Sequence, residues 1–143
     1  MIGKFSAAVL LAAFTNAAMA AGHVVIDGAW IRSAPPGAMM LAGYATLRND
    51  GDAPVTITGA HSDDFGSVSL HESVEDGGIA RMRALERVEI KPGASVLFAP
   101  GGKHLMLMRP KHELKTGESV KIHLDTSAGA AVAEFAVRDD AIP

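Results

Sequence analysis

Hydrophobic residues in this chain occur in short runs, rich in Val, Ile and Leu, that Gly, Pro, Asn and Asp interrupt. This pattern is typical of β-strands joined by tight turns, because Gly and Pro supply the backbone angles that such turns need. No stretch keeps a 3.6-residue period for longer than two turns, so we expect no helix in the folded domain. Many short antiparallel strands favour an all-β Greek-key sandwich or barrel. The predicted strands span residues 23–33, 41–49, 54–61, 67–74, 79–85, 88–90, 95–99, 103–108, 119–124 and 131–137.

One predicted hairpin brings together an imidazole and a thioether, those of His71 and Met82. If Asp76-Gly77 is a two-residue turn, the strands align so that Glu72 faces Arg81 and His71 lies directly opposite Met82. The Cβ atoms of such a pair are about 5 Å apart on one face of the sheet. A four-residue loop keeps this register, whereas a three-residue loop would place the two side chains on opposite faces.

The segment from Lys103 to Met108 alternates strictly between two kinds of residue. Leu105 and Leu107 point to one side of the predicted strand, and His104, Met106 and Met108 point to the other. The leucines identify the core side, so we expect the His/Met side to face outward or toward one end of the sandwich. Trp30, Tyr44 and Phe98 are expected in or near the core.

Two His and two Met residues are candidate ligands for a soft metal ion: His71, Met82, His104 and Met106. Thioether sulfur prefers Cu(I), and imidazole also suits copper. Zinc favours thiolate or carboxylate beside imidazole, and calcium and magnesium favour oxygen. The residues therefore predict one Cu(I) ion per chain, held by neutral side chains.

The spacing of these four residues, H-x10-M-x21-H-x-M, resembles the copper-binding signature of the periplasmic copper chaperone family PCu(A)C (DUF461-type). The resemblance extends over most of the chain, and includes Trp30-Ile31-Arg32, Gly43-Tyr44 and Pro100-Gly101-Gly102. It implies a cupredoxin-like fold and a Cu(I) chaperone that delivers copper to the CuA centre of cytochrome c oxidase, directly or through a partner thiol copper chaperone. A periplasmic copper scavenger without a dedicated oxidase recipient is the alternative.

Composition narrows the remaining classes of protein. The 143 residues include no Cys, so a disulfide framework, a thiolate-ligated blue-copper centre and a lipid anchor on an N-terminal Cys are not expected. The net charge of −3 argues against a nucleic-acid partner. Enzyme motifs fail as well: His71-Glu72 lacks the second His of H-E-x-x-H, because residue 75 is Glu75. We expect a monomer that is not an enzyme.

Residues 1–20 are predicted to be a cleaved signal peptide. Lys4 precedes an apolar stretch at residues 5–14, which is too short to span a membrane, and Ala18-Met19-Ala20 matches a signal-peptidase site. The mature copper-binding domain would then comprise residues 21–143, exported to the periplasm and not attached to the membrane. Cleavage would also expose Ala21-Gly22-His23, an N-terminal triad that can wrap Cu(II) in a square plane.

The other His and Met residues are predicted to have ordinary roles. Met108 lies on the His/Met side of its strand. It could pack against its neighbours or act as a spare thioether ligand, and we favour packing. Met39 and Met40 are also expected to pack, although they could line the mouth of the site. His61, His112 and His123 have no soft neighbour at useful spacing, so they are expected in solvent or in turns.

Overall fold

The computed structural model describes residues 21–139, which form ten β-strands, and all ten predicted strands are present. The predicted signal peptide lies outside the described residues. No helix among residues 21–139 is long and apolar enough to cross a membrane. The strands are β1 (Val24–Arg32), β2 (Met40–Asn49), β3 (Val55–His61), β4 (Phe65–Asp76), β5 (Ile79–Ala84), β6 (Val88–Ile90), β7 (Ser95–Phe98), β8 (Lys103–Pro110), β9 (Ser119–Thr126) and β10 (Gly129–Arg138).

The strands form one sheet that curls into a barrel. Their order is β5-β4-β8-β7-β2-β1-β10-β9-β3-β6, and a pairing between β3 and β4 closes the ring. The first half of β2 pairs directly with β8, and its second half pairs with β7. Two neighbouring pairs, β1–β10 and β7–β8, are parallel, which the expectation of antiparallel strands did not include. Strands from distant parts of a chain can adjoin in either direction, because no tight turn joins them.

The interior of the barrel holds the hydrophobic core. Leu105 and Leu107 of β8 belong to this core, as the alternation predicts, and so does Phe98. Trp30 and Tyr44 are buried as well, but outside this core cluster, and Tyr44 lies on the outer wall. On β4, the neighbouring Val68 and Leu70 are buried in the same way. Since successive side chains point to opposite faces of a strand, the residues between these positions lie on the outer wall. That wall, where β4, β8 and β2 lie side by side, carries the candidate ligands.

The register of the β4–β5 hairpin differs from the prediction by two residues. Gly77 and Gly78 form the turn, with φ angles of 59° and 82°. A two-residue turn of this type needs positive φ at both positions, which a Gly-Gly pair adopts more easily than Asp-Gly. His71 consequently faces Ala84, and Met82 faces Ser73. A shift of two residues leaves every side chain on its predicted face, so His71 and Met82 still share one.

The same shift changes the partner of Glu72. Its pairing with Arg81 was wrong, because Glu72 lies opposite Arg83 and accepts a hydrogen bond of 2.6 Å from that guanidinium. Lys103 of β8 reaches the other carboxylate oxygen at 3.3 Å. These two cations lower the pKa of Glu72, chiefly through the Arg83 hydrogen bond. The carboxylate is thereby held by the hairpin and by β8, on the face of the sheet opposite to that of His71.

Candidate metal centre

The two candidate His residues face each other across neighbouring strands. In the antiparallel pairing of β4 with β8, His71 lies directly opposite His104, and Ser69 lies opposite Met106. The two imidazole ring centroids are 6.0 Å apart, and the rings are inclined by 28°. The sequence could not have shown this pairing, because His71 and His104 are 33 residues apart in the chain and the register of their strands depends on the closed barrel.

His104 is on the outer wall, as predicted, but its side chain is not exposed. Only 5% of the residue is accessible, and it lines a cavity. Its Nδ1 lies 3.1 Å from the carbonyl oxygen of Gly102. A carbonyl only accepts hydrogen bonds, so Nδ1 carries the proton and donates it to Gly102. The other ring nitrogen, Nε2, therefore keeps a lone pair that a metal can use.

His71 is half-buried and has one ring nitrogen without a partner. Its Nε2 is 3.0 Å from the hydroxyl oxygen of Ser69, whereas its Nδ1 is buried and makes no hydrogen bond. Burial, and secondarily the charge that His104 can carry, lower the pKa of His71. Both effects favour the neutral imidazole, which is the form that binds metal. A buried nitrogen without a hydrogen-bond partner is costly unless a ligand satisfies it.

The cavity in front of His104 has a volume of about 220 Å³ and contains both candidate thioethers. Met106 reaches it from β8, and Met82 reaches it from the β4–β5 hairpin. Met82 is 51% exposed, so the cavity has one solvent-facing wall. The structure therefore gathers three of the four predicted ligands around one space. His71 does not line the cavity, but its ring stacks on that of His104, which does.

The other residues that line the cavity include Met40, Tyr44 and Arg32, and of these three the sequence had suggested only Met40 as a lining residue. Met40 is 50% exposed, so the packing expected of it is wrong, and its place at the mouth of the site is the alternative that holds. Arg32 lies over the rings of Tyr44 and Trp30, at 5.8 and 5.9 Å from their centroids. It places a fixed positive charge at the rim.

Met108 belongs to the same strand face but not to the cavity. It is half-buried and lies opposite Met40 on β2 and Ser67 on β4. Two residues along a strand correspond to about 7 Å, which separates it from Met106. This position agrees with the packing role favoured for it.

The donor set of this centre is soft and neutral. The cavity lining contains imidazole and thioether groups and no carboxylate. No three His, Asp or Glu side chains between residues 21 and 139 form a group that could hold a metal ion. Harder cations such as Zn²⁺, Ca²⁺ and Mg²⁺ favour such groups, whereas thioether sulfur favours Cu(I). The residues fit a Cu(I) ion and do not fit a hard divalent ion.

The predicted N-terminal Cu(II) triad is engaged in other contacts. The backbone N–H of His23 donates to the Asn49 side chain at 3.2 Å, and the His23 ring contacts Asp50. A square-planar site needs this backbone nitrogen deprotonated and bound to the metal. Copper at this terminus would therefore have to displace both contacts, and the triad remains a prediction.

The remaining histidines are outside the cavity. His112 is exposed after β8, and a hydrogen bond of 3.0 Å to Asp64 raises its pKa. His61 and His123 were expected in solvent or in turns; they lie on β3 and β9, where they are cross-strand partners. The sequence offered no sign of this pair, because it depends on long-range pairing.

Fold and site together define a small all-β barrel domain with a cluster of His and Met side chains on its outer wall, suited to a soft metal ion. Comparison with family models assigns the domain to a particular family. A model of the family described as "Putative lipoprotein LpqE-like" matches residues 24–137, so the chain belongs to the LpqE-like family of PCuAC domains.

Two relatives match in sequence. One is "Putative lipoprotein Lxx21020" of Leifsonia xyli subsp. xyli, 33% identical over 77% of this chain and 66% of the relative. The other is "Uncharacterized protein RP573" of Rickettsia prowazekii, 30% identical over 55% of this chain and 44% of the relative. This chain therefore spans about two thirds or less of the length of these relatives.

Solved structures of PCuAC domains share the fold. The "Copper-bound PCuAC domain from PmoF2" is 25% identical, with a TM-score of 0.69 over 84% of this chain and 96% of that domain. The "Solution structure of CuI-DR1885 from Deinococcus radiodurans" is 30% identical, with a TM-score of 0.66 over 90% of this chain and 87% of that protein. The predicted cupredoxin-like all-β fold is thus confirmed.

Proposed function

We propose that this chain is a periplasmic Cu(I) chaperone, which binds one copper ion through His71, Met82, His104 and Met106 and delivers it to the CuA centre of cytochrome c oxidase. The observation that carries the proposal is the convergence of His104, Met82 and Met106 on one cavity, with His71 directly opposite His104. Relatives titled as copper-bound and Cu(I)-bound domains support the choice of metal.

The proposed ligand atoms follow from the hydrogen bonds of the two rings. His104 uses Nδ1 for Gly102, so Nε2 is left for copper. For His71 we assign the tautomer in which Nε2–H donates to the Ser69 hydroxyl, which leaves the lone pair on the unpartnered Nδ1 for copper. Copper then satisfies a buried nitrogen that otherwise has no partner. The thioether of Met82 comes from the exposed hairpin, where it can leave the metal first and start transfer to an acceptor.

Copper release is favoured by the neutral character of the ligands. Two imidazoles and two thioethers leave the positive charge of Cu(I) uncompensated, so binding is weaker than at a thiolate site. The exposed side chains of Met82 and Met40 place two thioethers at the opening, where an acceptor ligand can approach. Thioethers also cannot be trapped as disulfides in an oxidising compartment.

Metal analysis tests the binding step. The mature protein is loaded with Cu(I) under reducing, anaerobic conditions and passed over a desalting column in the presence of a competing Cu(I) chelator. We expect one copper to remain per chain. A protein that leaves the column without copper would contradict the proposal.

A transfer experiment tests the delivery step. The Cu(I)-loaded protein is mixed with the copper-free soluble CuA domain of cytochrome c oxidase, with and without a thiol copper chaperone, and the proteins are then separated. Copper is expected on the CuA domain in at least one of the two mixtures. Copper retained by the donor in both would favour the scavenger over the chaperone.

Ser69 is expected to position the His71 ring for copper. Substitution of Ser69 with Ala removes the hydroxyl that lies 3.0 Å from His71 Nε2, and we expect Cu(I) affinity to fall about tenfold. Ser67 provides the matched control, because it lies on the same face of β4, two residues away and opposite Met108. A chelator competition assay should show the Ser67→Ala variant unchanged and a Ser69→Thr variant largely restored. Equal affinities of the two Ala variants would remove this role from Ser69.

A further inference from the structure

The barrel carries a second pair of directly opposed histidines, on strands other than those of the candidate copper ligands. His61 of β3 and His123 of β9 are cross-strand partners, as His71 and His104 are on β4 and β8. Their rings lie face to face, with centroids 4.7 Å apart and an angle of 6° between the planes. This separation is shorter than the 6.0 Å between the rings of the first pair. Neither residue lines the cavity of the candidate copper centre.

A carboxylate accompanies this second pair. Asp125 follows His123 by two residues on β9 and therefore shares its face, and its Oδ1 is 3.3 Å from His61 Nδ1. The residue opposite Asp125 is Gly59. A Cβ atom at position 59 would lie 3.4 Å from Asp125 Oδ2, so the carboxylate extends over this position of β3.

We propose that His61 and His123 form a second metal site, which takes a borderline divalent cation such as Zn²⁺ rather than Cu(I). Two imidazoles with a carboxylate nearby suit such an ion, and the flanking Asp125 and Val132 offer no sulfur to a soft one. Only the two histidines coordinate the ion directly, and water completes its tetrahedral shell. No three His, Asp or Glu side chains between residues 21 and 139 form a metal-binding group, so Asp125 is not counted as a ligand and the protein supplies only two.

Asp125 acts on this site as a positioning residue. A carboxylate next to Nδ1 favours the proton on that nitrogen, which leaves Nε2 of His61 for the metal. Metal binding also requires the stacked rings to turn, because a ligand nitrogen binds a metal in the plane of its ring. The His61 and Asp125 side chains are 59% and 50% exposed, so solvent and the ion can reach the pair.

Zinc titration of the mature protein tests the proposal. The probe is Zn²⁺ alone, followed by calorimetry and by the ring-proton NMR signals of the histidines. We expect one Zn²⁺ per chain at this site, with shifts confined to His61 and His123. The His61→Ala and His123→Ala variants should each lose at least about tenfold in Zn²⁺ affinity, and Asp125→Asn about tenfold.

Two controls separate this site from other histidines. His112→Ala removes an exposed His that also contacts an Asp, so it matches the chemistry without the pair, and it should leave Zn²⁺ affinity unchanged. A variant that lacks His104 and Met106 should also bind Zn²⁺ normally, which makes the result independent of the copper centre. Zn²⁺ affinity that survives both His61→Ala and His123→Ala, or that falls only when His104 and Met106 are replaced, overturns the proposal.

Discussion

Simultaneous replacement of His104 by Asn and Met106 by Leu is expected to abolish tight Cu(I) binding while the barrel stays folded. The two substitutions remove half of the proposed donor set from one strand. We expect the affinity to fall by at least about a thousandfold, which corresponds to about 4 kcal/mol. The measurement is a competition titration against a chromogenic Cu(I) chelator under anaerobic conditions.

The substitutions are chosen to preserve the fold. Asn at position 104 can still donate a hydrogen bond toward the Gly102 carbonyl, which His104 Nδ1 contacts at 3.1 Å. Leu has nearly the volume of Met, and such exchanges are tolerated well in packed surroundings. Circular dichroism and urea unfolding should therefore resemble those of the unchanged protein. If the double variant proves unstable, Met106→Leu alone should still lose at least about tenfold in affinity.

Met108 supplies the matched control for this experiment. It is a thioether on the same strand and the same face, two residues beyond Met106, but it is not part of the cavity lining. The Met108→Leu variant should bind Cu(I) as the unchanged protein does. Undiminished affinity in the His104/Met106 double variant would refute the ligand assignment, since it would place the copper elsewhere on the molecule.

The elements of the fold could be predicted because they depend on local patterns. Alternation along β8 identified Leu105 and Leu107 as core residues and put His104 and Met106 on the other face, and the structure agrees. Side-chain direction in a strand alternates residue by residue, so a correct strand assignment suffices for this inference. The hairpin register was wrong by two residues, since it depends on which two residues occupy the turn, and Gly77-Gly78 meets the requirement for positive φ.

The relations between distant strands could not be predicted in this way. Nothing near His71 indicates that His104 lies opposite it, and nothing near His61 indicates His123. Both pairs arise from the closing of the barrel, in which strands far apart in the chain meet in one register. The burial of His104 has the same origin, because the cavity above it is built from residues of β2, the β4–β5 hairpin and the segment after β1.

Asn49 shows the same dependence on distant partners. It begins the polar segment Asn49-Asp50-Gly51-Asp52, which is typical of an exposed turn, but the structure buries it completely. Its backbone N–H and C=O bond to Ala94 and Gly93 of a loop more than forty residues away. Asn49 thus connects the end of β2 to that distant loop, and local sequence carries no information about such a partner.

The largest expected effect on stability comes from replacing this residue. The Asn49 side-chain amide donates to the carbonyls of Ala53 and Ile90 at 2.8 and 3.0 Å. Its carbonyl oxygen accepts from the backbone N–H groups of His23 and Gly51 at 3.2 and 3.0 Å. Asn49→Ala leaves these backbone groups without their hydrogen-bond partner, and some of them are buried from water. We therefore expect the free energy of unfolding to fall by about 3 kcal/mol.

Urea unfolding of the metal-free protein measures this loss, and two further variants define its cause. Asp52→Ala, in the same turn, removes an exposed side chain and should change the free energy of unfolding by less than about 0.5 kcal/mol. Asn49→Asp keeps the shape and the accepting oxygen, but it turns a carboxylate oxygen toward the carbonyls of Ala53 and Ile90. It should therefore destabilise at neutral pH at least as much as Asn49→Ala does. If Asn49→Ala unfolds at the same urea concentration as Asp52→Ala, the buried side-chain amide does not stabilise this end of the barrel. Its stability would then come from the backbone hydrogen bonds of Asn49 to Gly93 and Ala94.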